Sequence, residues 1–433
     1  MQGGGAGGDH YLNGDIDDAS TIDGGDDDDV EQIVPPNGDY GWVIVAASLL
    51  CIAASFGQFQ AFGVFEREYH QNVFPSETSA KISLIGTLQI AFQSIPSAFT
   101  GYAAEAYGYR RCIFIGGVLI GLGLILASFA TQIWLSLLAQ GAIVGVGAAF
   151  VVVPAISIPA QYFTTKRGLA TGLVYSGTGI GGVIISRGVQ SLISGVGIFW
   201  ALRIVGIVCM TLICVASMFM QPLIQPKPRE KILDFGMFRN RRFFIMVIYG
   251  MLMFSVFYVP FYYIPLFVVS TGSGSADTGA TVDMIANVGS IVGRVIGAFM
   301  ADRLGCMNTI VLSLMVSVTS VFGIWLPFST LASTTTFGII YGLSSGAQMA
   351  MLTQMVAIGF GLDRLATLVG VVLCAGGVGI VAGTPLAGVI YDHTHMSSGF
   401  LGLIGYNGSV LALTLIMAIA LRCQFTKKIF TRA

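Results

Sequence analysis

Long hydrophobic runs alternate with short polar stretches along most of this 433-residue chain. A helix that crosses the hydrocarbon core of a bilayer needs about 20 mostly apolar residues, because the core is about 30 Å thick and each residue rises about 1.5 Å. Twelve runs reach that length. They lie near 43–65, 82–104, 112–131, 133–155, 168–192, 199–220, 243–270, 279–301, 308–328, 333–356, 366–390 and 400–422. The pattern predicts an all-α polytopic membrane protein with twelve transmembrane helices.

The composition supports this interpretation. Only 10% of the residues are charged, whereas soluble domains carry about 25%, so charged side chains cannot cover a water-soluble surface of this size. The net charge of −1 argues against a nucleic-acid partner, which requires a basic surface. The seven cysteines form no C-x-x-C pair. We therefore expect buried apolar cysteines, with no disulfide framework, metal site or cofactor.

Three segments fall outside the hydrophobic runs. Residues 1–40 hold eleven acidic residues and no Lys or Arg, a composition that predicts a disordered tail. This segment also lacks the basic start and short apolar core of a cleavable signal peptide. The stretch 221–242 combines prolines with basic residues and is interpreted as a linker between helical halves at 41–220 and 243–422. Residues 423–433 form a short second tail.

The distribution of basic residues predicts the orientation. Cytosolic loops of membrane proteins are enriched in Lys and Arg. If both ends of the chain are cytosolic, sixteen of the 21 Lys and Arg residues fall in cytosolic segments and only Arg67 and Lys81 fall in outer loops. The opposite orientation reverses this bias. We therefore expect both termini in the cytosol, and a location in the plasma membrane.

The two halves share short sequence repeats. Leu-Ala-Thr occurs at 169–171 and again at 365–367, an offset of 196. Glu105-x-x-Gly108 follows the second run and Asp302-x-x-Gly305 the eighth, an offset of 197. Two independent matches at nearly one offset predict two pseudo-symmetric six-helix halves.

The loop after the second run resembles the loop motif of the major facilitator superfamily. Its residues here are Gly101, Glu105, Gly108, Arg110 and Arg111. Asp302 and Arg303 lie at the matching place in the second half. The resemblance implies the major facilitator fold and a conformational latch that bridges the halves on the cytosolic side. A plain charged turn is the alternative.

Further motifs resemble the monocarboxylate-porter family, and its fungal members in particular. They are the stretches 37–42, 162–172, 200–204 and 258–265, and the resemblance runs from about residue 35 to 422. Members that carry protons with lactate-like acids have a lysine in span one and an Asp four residues before an Arg in span eight. Here Gln60 stands at the lysine position and Ser290 at the aspartate position, while Arg294 is retained. Proton–monocarboxylate symport is therefore not implied.

Arg294 is the strongest candidate for binding a substrate. A charge within hydrocarbon costs about 2.5–3.5 kcal/mol on insertion scales, so an intramembrane arginine is a functional candidate. Asn287 and Ser290 share its helix face, and its planar guanidinium suits a carboxylate. The alternative is a structural arginine bonded to helix-end carbonyls. Other candidate cavity residues are Gln60, Gln93, Tyr175, Tyr262 and Gln348, for which contact between helices is the alternative.

These observations favour a secondary transporter over an enzyme or a sensor. Intramembrane catalysis needs paired acids, a metal cluster or an activated nucleophile, and a sensor typically adds a long signalling extension. We expect a small organic solute, anionic or carboxylate-bearing, to be moved by alternating access. An efflux pump for a fungal secondary metabolite is the alternative. The partners expected are this solute and the lipid bilayer, with no obligate protein partner. Because all acids lie outside the spans or near their ends, we expect facilitated diffusion or coupling through the substrate's own proton.

Overall fold

A computed structural model describes residues 38–223 and 235–425 of the chain, and almost all of these residues are helical. Most of the predicted acidic tail, the central part of the linker and residues 426–433 lie outside the described residues. The expectations for those segments therefore remain predictions.

Six helices form the first half of the described chain. They are α1 (Tyr40–Val73), α2 (Ser79–Ser94 and Ser97–Tyr107), α3 (Tyr109–Ala127), α4 (Ile133–Tyr162), α5 (Arg167–Val196) and α6 (Ile198–Met218). Helix α2 bends by 44° between its two segments. Pro96 lies at this bend, where its ring and missing N–H interrupt the helical hydrogen bonds.

Six further helices follow the 3₁₀ turn Phe235–Arg239. They are α7 (Arg241–Ser270), α8 (Ala276–Leu304), α9 (Cys306–Trp325), α10 (Leu331–Phe360), α11 (Leu365–Ser398) and α12 (Leu401–Phe425). Helix α8 begins three residues before the hydrophobic run because the Ser275 side chain accepts a hydrogen bond from the Thr278 N–H and caps the first turn.

The described residues confirm the predicted twelve-helix architecture. Ten helices are long and apolar enough to cross a membrane, and α2 qualifies as a bent pair. The twelfth, α10, has 30 residues, long enough to span, and it buries polar residues such as Gln348 and Gln354. Each of the twelve helices also exposes large apolar side chains, which is the surface that lipid requires.

An even number of crossings puts the start of α1 and the end of α12 on one side of the bundle. We call this the termini side and the opposite side the distal side. On the termini side, α2 packs against α11 and α5 against α8. A Cβ on Gly101 would overlap the carbonyl oxygen of Ala366, and a Cβ on Gly370 would overlap that of Ser97. Small residues therefore allow the backbones of the two halves to touch here.

Candidate functional site

A cavity of about 600 Å³ lies between the two halves. Near the distal side its wall includes Glu66 of α1, Ser83 of α2 and Pro385 of α11. Deeper residues of the wall include Arg294 and Met349. Since the halves are in backbone contact on the termini side, the cavity opens toward the distal side. The structure is thus a distal-open conformation.

Arg294 lines this cavity and is 9% exposed. Its Nη1 donates to the carbonyl oxygen of Tyr175 at 3.0 Å and to the Thr178 hydroxyl, both on α5 in the opposite half. Its Nε is buried and has no hydrogen-bond partner among the described residues. Arg294 therefore has a structural role and also borders the candidate binding site. Its Nη1 connects the two halves, and the guanidinium forms part of the cavity wall.

The other predicted polar residues of α8 and α1 also reach the cavity. Asn287 and Ser290 line it together with Arg294, as their spacing along one helix face predicts. Gln60 lines it as well, but its Nε2 donates to the Thr178 carbonyl at 2.9 Å. Gln60 therefore partly serves to hold α1 against α5.

Two further candidates lie next to a smaller cavity of about 50 Å³ toward the termini side. Gln93 and Tyr175 are in its wall, and the Tyr175 hydroxyl lies 3.3 Å from the Thr353 hydroxyl of α10. Phe56, Tyr258 and Met349 border both cavities. The small cavity is thus separated from the large one only by side chains that the two share.

Tyr262 belongs to an aromatic wall that the sequence predicts only in part. Its ring is 52% exposed and stacks on Tyr258 at 6.0 Å between centroids and 21° between planes. Five phenylalanines of α1 and α7 line the same cavity: Phe56, Phe59, Phe62, Phe257 and Phe261. The spacing of three residues in α1 was a usable signal, but among so many apolar residues it is not distinctive.

Asp283 and Glu66 also line the cavity and were not among the predicted site residues. Asp283 accepts a hydrogen bond from the Asn287 side chain at 3.2 Å through Oδ2, and Glu66 accepts from the Ser83 hydroxyl. Asp283 continues the face of Asn287 and Arg294. From the sequence alone, the position of Asp283 near the end of its hydrophobic run favoured a location close to a loop rather than in the cavity.

Gln348 does not belong with the other candidates. It lines neither cavity, and its Nε2 donates to the Ser317 hydroxyl of α9 at 2.9 Å. Tyr341, on the same face, donates to the Phe257 carbonyl at 3.1 Å. This polar face of α10 therefore connects helices within the second half, and we remove Gln348 from the candidate site.

Two carboxylates join the halves on the termini side, and we call these arrangements the closing contacts. In the first, Glu105 of α2 accepts from the backbone N–H groups of Ala366 and Thr367, at 2.8 and 3.2 Å, and from the Thr367 hydroxyl at 2.5 Å. In the second, Asp302 of α8 accepts from the N–H groups of Gly168 and Leu169 at 2.7 and 2.9 Å. Each carboxylate thus caps the N-terminus of a helix in the other half, where N–H groups are unpaired and the helix dipole is positive.

The remaining predicted latch residues have different roles. Gly108 ends α2 with φ 102°, a conformation that favours glycine. Arg110 and Arg111 are exposed, and the guanidinium of Arg303 lies over the Phe299 ring at 4.3 Å. Glu105 and Asp302 supply hydrogen bonds that cross between the halves at this loop.

The chain is similar to proteins of a known transporter family. A family model described as Major Facilitator Superfamily matches residues 38–384. The MFS-type transporter opdF of Penicillium oxalicum is 28% identical over 384 residues, covering 87% of this chain and 90% of the relative. The Agnestins efflux protein AgnL12 of Paecilomyces divaricatus is 28% identical over 408 residues, covering 92% of each. The Probable transporter MCH2 of Saccharomyces cerevisiae is 28% identical over 369 residues, covering 82% and 77%.

Solved structures share the fold at low sequence identity. The transporter FucP in the outward conformation superposes with a TM-score of 0.70 at 13% identity, covering 88% of this chain and 98% of FucP. The human organic anion transporter MFSD10 (TETRAN) gives a TM-score of 0.71 at 12% identity, covering 88% and 100%. At these identities the likeness concerns the fold alone.

Proposed function

This chain belongs to the major facilitator superfamily, and on that premise we propose that the large cavity binds a small organic, anionic or carboxylate-bearing solute and presents it alternately to the two sides of the membrane. The observation that carries this proposal is Arg294: a guanidinium in the cavity wall with a buried Nε that no described group satisfies. A buried unpaired donor of this kind is costly, and a carboxylate oxygen would satisfy it.

The size and lining of the cavity support a solute larger than a lactate-like acid. A volume of about 600 Å³ falls within the range of sites for drug-sized ligands. Aromatic rings make up much of the wall and offer flat apolar contact area. Ser290 and Gln60, which stand where proton-coupled lactate carriers have charged groups, also favour a different solute.

Export of a secondary metabolite is the second candidate. It is favoured by the aromatic lining and by the relatives, one of which is named as an efflux protein for agnestins. The first candidate leaves the direction of transport open, whereas the second specifies export. The genes adjacent to this one in the genome distinguish the two candidates, because adjacent polyketide or peptide synthase genes would favour export.

We propose the same orientation that the basic residues predict. The termini side then faces the cytosol, the protein lies in the plasma membrane, and the distal-open conformation faces outward. The closing contacts act as a latch in this conformation. They must break for the cavity to open to the cytosol, since Glu105 and Asp302 each hold a helix of the opposite half.

Metabolite profiling tests the proposal in cells. Yeast that express the wild-type chain should differ from yeast that express Arg294→Ala in the medium-to-cell ratio of carboxylate-bearing aromatic compounds supplied to the culture. Arg187→Ala is the matched control, since Arg187 is an exposed arginine of α5 that lines neither cavity. Equal surface expression must be shown first. Wild-type ratios in the Arg294→Ala strain would contradict the proposal.

A further inference from the structure

The cavity has two chemically different ends on a single helix. Arg294 lies deep in the cavity and Asp283 lies nearer the distal mouth. They are eleven positions apart on α8, which corresponds to about 16 Å along the helix axis. Among the residues that line the large cavity, Arg294 is the basic one. No basic side chain of the described lining therefore neutralises Asp283.

The carboxylate of Asp283 is only partly satisfied. Oδ2 accepts from Asn287 at 3.2 Å, whereas Oδ1 is buried and has no partner among the described residues. The second acid of the wall, Glu66, accepts from the Ser83 hydroxyl and has no buried oxygen without a partner among the described residues. A buried acceptor without a partner costs free energy that a hydrogen-bond donor would recover. A hydrogen-bond donor on a bound molecule could therefore pair with Asp283.

The wall between the two ends is aromatic. Phe257 and Phe261 of α7 line it, and the stacked pair Tyr258 and Tyr262 continues the same surface. Aromatic walls favour planar ligands, because offset or edge contacts between rings add to the burial of apolar area. The distance along α8, shortened by the reach of the two side chains, suits about two linked or fused rings.

We propose, building on the function proposed above, that Asp283 binds a hydrogen-bond donor at the outer end of the substrate. The substrate is then an elongated, flat aromatic molecule with two polar ends. A carboxylate or similar oxyanion lies at Arg294, and a hydroxyl or ammonium group lies at Asp283. Asp283 is a residue that determines specificity, and it selects against aromatic acids whose far end is apolar.

Binding of four matched probes to the purified full chain in nanodiscs tests this proposal. Biphenyl-4-carboxylate carries the acid alone, and biphenyl-4-carboxamide is its neutral counterpart. The compound 4′-hydroxybiphenyl-4-carboxylate adds a hydroxyl, and 4′-(aminomethyl)biphenyl-4-carboxylate adds an ammonium group. We expect at least one of the two-ended probes to bind the wild type roughly tenfold more tightly than biphenyl-4-carboxylate, as a hydrogen bond to a charged acceptor allows. The better of the two identifies the donor as hydroxyl or ammonium.

Variants assign this gain to Asp283. The gain should vanish in Asp283→Ala and fall in Asp283→Asn, which keeps the shape but loses the charge. Glu77→Gln, in an exposed loop pair with Lys81, is the control and should keep the full gain. The inference fails if neither two-ended probe binds more tightly than biphenyl-4-carboxylate, or if the gain survives in Asp283→Ala. It also fails if the gain is lost in Glu66→Gln instead.

The role of Arg294 at the acid end is tested separately, by comparing the affinities for biphenyl-4-carboxylate and biphenyl-4-carboxamide. If the wild type binds biphenyl-4-carboxylate no better than biphenyl-4-carboxamide, the proposed function itself fails. A preference for the acid without any preference for the donor contradicts only the role of Asp283. The two failures are therefore distinguishable in one set of titrations.

Discussion

The two ends of the interface between the halves are built from similar residues but are in opposite states. On the termini side, Glu105 and Asp302 each cap a helix of the other half, and Gly101 and Gly370 let the backbones touch. Toward the distal side, Asp283 and Glu66 line an open cavity, and their side-chain hydrogen-bond partners among the described residues, Asn287 and Ser83, belong to their own half. Carboxylates thus bridge the two halves at one end of the interface, whereas at the other end the described hydrogen bonds of the two acids stay within one half.

The distal-open conformation depends on a small free-energy difference between the two states of the protein. A carboxylate at a helix N-terminus contributes about 0.5–2 kcal/mol, and two such contacts favour the distal-open state. The two closing contacts are also related by the pseudo-symmetry of the halves. The two acids are separated in the sequence by nearly the same number of residues as the two helices that they cap. A transport cycle requires this state to be favoured only modestly, so that the opposite state can still form.

Filling the glycine contact should have the largest effect. Gly101→Leu introduces a side chain where even a Cβ would overlap the Ala366 carbonyl oxygen, so the termini side cannot close as observed. Overpacking of this kind costs about 1–3 kcal/mol or more, and we expect transport to be abolished. Gly188→Ala is the control, because a Cβ there would meet nothing within 4 Å. Normal transport by a well-expressed Gly101→Leu variant would show that this contact is dispensable.

Removing the closing contacts should have a smaller, graded effect. Glu105→Gln and Asp302→Asn each weaken one cap, so we expect the ratio of distal-open to termini-open protein to fall by up to about tenfold for each. The measurement is maleimide labelling, from the distal side, of a cysteine at Thr87, which is an exposed residue of the cavity wall. Glu77→Gln removes an exposed ion pair and should leave the labelling rate unchanged. Wild-type labelling in the double variant Glu105→Gln/Asp302→Asn would contradict the latch.

An imposed pH gradient should have little effect on transport. Among the described acids, those near the cavity lie toward the ends of helices, and Arg294 does not release its proton in the physiological range. We expect flux in proteoliposomes to follow the solute gradient, or to carry only the solute's own proton. Asp283 is the acid that could couple transport to protons. Helix α8 begins at Ala276, so Asp283 lies within the helix and lines the cavity. Uphill accumulation driven by the pH gradient, and lost in Asp283→Asn, would identify a proton symporter instead.

Deleting residues 1–34 should have the smallest effect. The composition of this acidic segment predicts no core contact, so insertion and transport should be unchanged. Full-length and truncated chains are compared for surface expression and for flux per molecule. Loss of flux at normal expression would assign the segment a role in transport.

Hydrophobic length was sufficient to predict the twelve helices, because lipid imposes the same minimal apolar length on each of them. It was less accurate at helix ends. Helix α11 continues to Ser398, eight residues past its hydrophobic run, since polar terminal turns can be helical without being apolar. The repeats placed the acids of the closing contacts correctly in sequence, but only the structure showed that each acid caps a helix of the opposite half.

The cavity was harder to predict than the helices. Spacing along α8 identified the face of Asn287, Ser290 and Arg294 because one charged residue made that face stand out. The same reasoning failed for Gln348, since a polar face can equally bind a neighbouring helix, as it does through Ser317. Periodicity shows which residues share a face, but it does not show what that face contacts.

The most direct test of the account is the binding of biphenyl-4-carboxylate to four forms of the purified protein: wild type, Arg294→Ala, Arg294→Lys and Arg187→Ala. We predict that the wild type and Arg187→Ala bind alike, that Arg294→Ala loses binding, and that Arg294→Lys recovers little, because an ammonium group lacks the planar pair of donors. Thermal unfolding must show that all four forms are folded. A folded Arg294→Ala protein that binds biphenyl-4-carboxylate as tightly as the wild type would contradict the assignment of Arg294 to the substrate site.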